Sequence, residues 1–144
     1  MDATAEATIA WQCMQVSYAF AYHIDHGEFE ELIQLWVPDG AFDRVGQVLR
    51  GHEELRAAMR DRPNMTTRHV FTNFHFHRIE PDEAEATAYC MSYHALVPFE
   101  GEPVIYGTTQ GRLLEFRERY VRTAEGWKFA EHNGHAVFRP EVWP

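Results

Sequence analysis

The second half of this chain constrains its fold most, because it reads as four long β-runs separated only by tight turns. Residues 67–79, 83–97, 104–123 and 126–138 are rich in β-branched and aromatic side chains. Pro81-Asp82, Gly101-Glu102-Pro103 and Ala124-Glu125-Gly126 carry turn chemistry between them. Strands joined so closely must run antiparallel, since a parallel pair needs a long crossover. Strands well beyond the usual length of about five or six residues must also twist and coil. The expected sheet is therefore a strongly curved antiparallel meander.

Helices are expected ahead of it. Ile9, Cys13, Val16, Phe20 and Ile24 recur at three- and four-residue spacing, which predicts an amphipathic helix over 5–24. Phe29, Leu32, Ile33 and Trp36 predict a second over 28–36, ended by Pro38-Asp39-Gly40. A short strand over 41–45 precedes Gly46, and Val48-Leu49 is expected to pair back on it. Gly51-His52-Glu53-Glu54 opens a third helix that turns Leu55, Ala58 and Met59 inward and stops before Pro63. Helices first and strands later imply an α+β layer arrangement, with three helices against the sheet and a cavity between them.

Composition narrows the partners. At 144 residues the chain is one domain, long enough to bury a core without staples. A net charge of −9 argues against nucleic acid, which needs a basic stripe. No apolar run approaches the roughly 20 residues that span a bilayer, so no membrane role is expected. Cys13 and Cys90 form no metal-spacing motif, and the acidic N-terminus is unlike a secretory signal. A cytoplasmic location is expected.

The first long hairpin places the chemistry. With Ile79 opposite Ala84 and no interruption, Asn73 lies opposite Cys90 and His69 opposite His94, their Cβ atoms roughly 5 Å apart. A slip or bulge breaks that pairing. Strict alternation would put His69, Phe71, Asn73, His75 and His77 on one face with Ala86, Ala88, Cys90, Ser92 and His94. Small, polar and ionisable groups together suit a ligand cavity. The opposite face, with Val70, Thr72, Phe74, Phe76, Thr87, Tyr89, Met91 and Tyr93, suits burial against another subunit. A homodimer or homotrimer through that face is expected.

Three local motifs carry a resemblance. They are Asp25-His26-Gly27-Glu28, Asp39-Gly40-Ala41-Phe42 followed by Gly51-His52-Glu53-Glu54-Leu55, and Thr67-Arg68-His69-Val70-Phe71-Thr72-Asn73. With the closing Gly126-Trp127-Lys128-Phe129, they resemble the SnoaL-like branch of the nuclear transport factor 2-like superfamily over roughly residues 8 to 137. The resemblance implies a single SnoaL-like domain across 1–144, a cone-shaped α+β barrel. In site pattern the chain is most similar to scytalone dehydratase and hexachlorocyclohexane dehydrochlorinase. Both use a His–Asp pair, and His69 and Asp25 stand at those positions. His94 matches a second pocket histidine. Arg44 stands where a pocket tyrosine would be, and Phe116 where scytalone dehydratase has an asparagine. Tyr22, one turn before Asp25, is the substitute for a tyrosine that is Ile24 here.

A His–Asp pair suits proton abstraction beside an activating group. Histidine's reference pKa of about 6.5 supplies neutral base at physiological pH, and a carboxylate fixes its tautomer and stabilises the imidazolium. His94 or Tyr22 is placed to protonate a leaving oxygen or stabilise an enolate. Tyr18, Tyr22 and Asp25 form one helix stripe that lines the cavity or packs under the sheet. Asn73, Phe71 and Trp36 complete the expected substrate-binding set. Each group has a structural alternative: Asp25-x-x-Glu28 fits a capping box, and His69 fits a hydrogen-bonded core histidine. His75 and His77 have a ligand-like spacing, but Ala88 and Ala86 opposite them add no third ligand. No metal or organic cofactor is expected. His132 and His135 read as structural or solvent-facing. Arg112, Arg117, Arg119 and Arg122, interleaved with Glu115 and Glu118, read as a solvated face.

Three functions stay open at this point. The first is a cofactor-independent lyase or isomerase acting on a small, mostly apolar or polyketide-like substrate. The second is a non-catalytic small-ligand-binding module. The third is an assembly subunit resembling the small subunit of ring-hydroxylating dioxygenases.

Overall fold

The computed structural model describes residues 1–105 and 111–141. Helix α1 spans Ala3–His26. Its first turn is capped by Asp2, whose carboxylate accepts from the Ala5 N–H at 2.8 Å. Gly27 ends it in the left-handed conformation with φ 70, the usual C-terminal device. The predicted stripe is the buried one: Ile9, Cys13, Val16, Phe20 and Ile24 all face the core.

Helix α2 is shorter than periodicity predicts. It covers Phe29–Ile33, and Trp36 opens strand β1, Trp36–Arg44, instead of closing a helix. The backbone there is claimed by the sheet. The Phe129 N–H donates to the Leu35 carbonyl at 2.8 Å, and the Trp36 indole N–H donates to the Ala41 carbonyl at 3.1 Å. Gly40 permits this packing, since a Cβ there would lie 2.9 Å from the Trp36 ring. Strand β2, Gln47–Arg50, pairs back on β1 as expected, and α3 covers Gly51–Arg60.

The long strands follow as β3 Thr66–Ile79, β4 Glu83–Ala95, β5 Gly111–Thr123 and β6 Gly126–Phe138. They form the expected antiparallel meander, and β1 joins it parallel to β6. The third long strand is shorter at its start than predicted: Val104 and Ile105 lie outside any strand and β5 begins at Gly111, while 106–110, with Tyr106, lie outside the described residues. The sheet order is β2-β1-β6-β5-β4-β3, so β2 and β3 are unpaired edges and the curved sheet wraps α1 without closing. The architecture is α+β, as the helix-then-strand order implies.

Register in the first hairpin departs from the sequence expectation. Ile79 does face Ala84, but irregularities between Phe76 and Arg78 and between Thr72 and His75 each displace the pairing. His69 therefore sits opposite Ser92, and His94 opposite Thr67. Asn73 adopts φ 53 at the second irregularity and is exposed. An extra residue reverses the alternation beyond it. Phe74 and Phe76 consequently pack on the core, while His75 and His77 turn outward.

The core lies between α1 and the concave face. Phe20 is its hub, in ring contact with Trp36, Phe42, Phe71 and His132 at centroid distances of 4.3–5.9 Å. Burying each such aromatic contributes about 1.5–3 kcal/mol, which holds the helix to the sheet.

Candidate active site

Asp25 and His69 come together because α1 ends over the start of β3. The Asp25 carboxylate accepts from His69 Nδ1 at 2.7 Å, from the His69 backbone N–H at 2.9 Å and from Thr67 Oγ1 at 2.9 Å. Both side chains are largely enclosed. The capping alternative for Asp25 does not hold: Asp25 lies inside α1, and Glu28 precedes α2 and contacts His23 instead. When His69 Nδ1–H donates to the carboxylate, the neutral ring keeps a lone pair on Nε2.

His69 lines a half-open cavity of about 370 Å³ bordered by α1, β1, α3 and the β3–β5 surface. The apolar wall includes Phe20, Ile24, Phe42, Met59, Leu114 and Phe116. The polar wall is Arg44, Gln47, Arg62, Thr67, His69, Ser92, His94 and Arg112. His94 and Arg44 thus share the cavity with His69, although the two histidines are diagonal neighbours and not a facing pair.

Four expected site residues lie elsewhere. Tyr22 is 57% exposed on the outer side of α1, where it stacks on His26 at 4.2 Å. The buried stripe of α1 runs through Val16, Phe20 and Ile24, and Tyr22, two residues from each of the last two, falls about 200° round the helix from them. Asn73 is exposed at the bulge, and its left-handed backbone removes it from the inner face. Phe71 is buried one layer behind the cavity, against Phe20 and Phe116. Trp36 is fully buried in the core, stacked on Phe42 at 5.3 Å.

The sequence reading also missed residues that matter. Arg62 and Arg112 line the cavity, whereas Arg112 had read as part of a solvated charge alternation. Burial pushes the guanidinium pKa of Arg44, Arg62 and Arg112 below the ordinary arginine range, and Arg44's charge adds to the effect on the other two. Thr67 carries a readable signal, since it alternates with His69 on the inner face. Arg62 reaches Thr67 Oγ1 at 3.1 Å.

Glu118 is a further correction. It is 3% exposed and accepts from His132 Nδ1 at 2.6 Å, forming a second histidine–carboxylate pair deep in the core. Ser17 joins it to Tyr120 through contacts of 3.4 and 2.8 Å. Phe20, Phe42 and Phe116 lie against the His132 ring and also line the cavity, so they stand between this pair and any ligand. His135 is exposed.

The site is thus a half-open, half-apolar cavity between a helix and a curved sheet, with the His69 imidazole in its wall and the Asp25 carboxylate behind it. Residues 5–133 match the SnoaL-like domain, and the chain belongs to that family. Comparison with curated proteins finds no match. Among solved structures, a type 2 hexachlorocyclohexane dehydrochlorinase is similar at 16% identity and TM-score 0.77, covering 98% of this chain and 94% of that one. A provisionally named scytalone dehydratase from Novosphingobium aromaticivorans is similar at 15% identity and TM-score 0.76, covering 97% of each chain. A provisionally named dehydratase of the nuclear transport factor 2-like family from Streptomyces avermitilis has 24% identity and TM-score 0.70, covering 92% of this chain and 98% of that one. At such identities the likeness is one of fold.

Proposed function

We propose that this protein is a cofactor-independent lyase or isomerase for a small, mostly apolar or aromatic substrate, with His69 as general base and Asp25 as its orienting partner. The observation that carries the reading is the 2.7 Å contact between Asp25 and His69 Nδ1 at the wall of a half-open, partly apolar cavity. For a β-hydroxy carbonyl compound, His69 Nε2 takes the proton from the carbon beside the carbonyl. The C–H electron pair becomes the new C=C as the β-hydroxyl leaves. That hydroxyl takes a proton from the imidazolium or from His94 and departs as water, so charge and atoms balance. Asp25 stabilises the imidazolium in between.

The apolar lining that surrounds this pair fits the names of the dehydratase and dehydrochlorinase neighbours. The test is turnover of a panel of β-hydroxy carbonyl compounds by wild type, His69→Ala and Asp25→Asn. General acid–base catalysis of this kind is worth about 10²–10⁴ in rate, so both variants should fall by that order. Undiminished turnover in His69→Ala removes the mechanism. Wild-type binding without turnover of any panel member points instead to a ligand-binding module. The outer sheet face, where Val70, Tyr89, Met91 and Tyr93 are exposed, is the proposed self-association surface of a cytoplasmic oligomer. No helix among the described residues is long and apolar enough to cross a membrane.

A further inference from the structure

The chain as a whole is acidic, at −9, yet among the described residues no carboxylate lines the cavity; the Asp25 carboxylate lies behind Thr67 and His69, where it is engaged by both and offsets part of the burial cost of Arg62. Three arginines do line the cavity, each from a different part of the fold: Arg44 from β1, Arg62 from the segment after α3, and Arg112 from the start of β5. Other arginines are paired generously with acids on the surface. Arg56 bridges to Glu30 and Glu53, Arg78 to Glu83 and Glu85, and Arg119 to Glu83 and Glu131. Among the described residues neither Arg44 nor Arg62 makes an ion pair. Arg62 spends one N–H on Thr67 and rests on the Phe29 ring at 5.8 Å.

Half-buried like charges gathered in one cavity repel one another and lose hydration. That arrangement is unfavourable in the empty protein and is relieved by a ligand that brings negative charge. A guanidinium offers parallel N–H donors that match the two oxygens of a carboxylate. The remaining wall, from Phe20 and Ile24 to Leu114 and Phe116, is apolar.

We propose that the cavity takes an amphipathic carboxylate, its anionic end against Arg44 and Arg62 and its apolar body toward His69. This rests on the lyase or isomerase reading only in making that ligand the substrate. The carboxylate is then an anchor remote from the reacting carbon, and Arg112 adds positive potential to the same wall.

The test is titration calorimetry with cinnamate, benzoate and octanoate, each beside its primary amide, on the full-length protein. The acid should bind about tenfold or more tighter than its amide, as expected for one charge-assisted interaction. Its affinity should weaken with added salt. Arg44→Gln and Arg62→Gln, checked for native circular dichroism, should each lose about tenfold for the acid and little for the amide, whereas exposed Arg117→Gln should match wild type.

Equal binding of acid and amide by the wild-type protein overturns the proposal, and needs no variant. So does failure of every carboxylate to bind, or inorganic phosphate binding as tightly as cinnamate, which would mark a general anion site. The same titrations on His69→Asn keep the two readings apart. Retained acid preference with retained turnover in His69→Ala removes the base and leaves the carboxylate site standing. Equal binding of acid and amide by the wild type with a turnover-dead His69→Ala does the reverse.

Discussion

Asp25 spends its carboxylate on three donors from one β-strand: Thr67 Oγ1, the His69 backbone N–H and the His69 ring. That is why this acidic residue tolerates the C-terminal end of a helix, where the dipole disfavours it. The same scale holds the protein's alkaline weakness. Burial pushes the Cys13 and Cys90 thiols from 9.0 up to about 12, and raises Tyr120 well above its ordinary range. A group with a raised folded-state pKa contributes stability that is present below its unfolded value and lost as pH climbs through the folded one. Thermal melts from about pH 8 to pH 11 should therefore show a falling midpoint that begins near the ordinary thiol value. The Cys13→Ala, Cys90→Ala double variant should fall less steeply; an identical slope would remove the thiols as the cause.

At the scale of elements, the β3 irregularities decide which face of the strand carries which residues. Strict alternation would send His69, Asn73, His75 and His77 inward together. Asn73 instead takes φ 53, a conformation open to Gly and Asn but strained for β-branched side chains. His69 and Phe71 stay inside on one side of the bulge, while Phe74 and Phe76 are inside on the other. Asn73→Gly should keep or slightly raise stability, and Asn73→Val should cost about 1–2 kcal/mol by urea unfolding. A neutral Asn73→Val would mean that the bulge does not hold the register. The short α2 is the other element-scale lesson. Phe29, Leu32, Ile33 and Trp36 keep helical spacing, but only the first three serve a helix, because β6 takes the backbone at Leu35. Periodicity reports which residues are buried and is silent on which neighbour buries them.

Across the molecule, the helices settle on the concave side, and among the described residues none of them covers the outer face of β3 and β4. Val70, Tyr89, Met91 and Tyr93 stand exposed there, a contiguous apolar surface that a second copy would bury. Light scattering after size exclusion should give a mass above one 16.8 kDa chain. Tyr89→Lys with Met91→Lys should return it to that mass, whereas a monomeric wild type would sink the assignment.

Local chemistry was enough to set the helix-then-meander order, the tight turns around Pro81-Asp82 and at 124–125, the buried stripe of α1 and the inward-facing position of His69. Those follow from periodicity, capping and turn residues, which act between near neighbours in the chain. By contrast, β4 and β5 are joined by a longer connection than the turn expected at 101–103. The 2.7 Å approach of Asp25 to His69 and the gathering of Arg44, Arg62 and Arg112 were decided by the tertiary structure. So were the outward turns of Tyr22 and Asn73, the parallel β1–β6 pair, and the burial of Glu118 against His132. Each depends on the curvature of a sheet whose register shifts at single residues, and on which side chains that curvature withdraws from water.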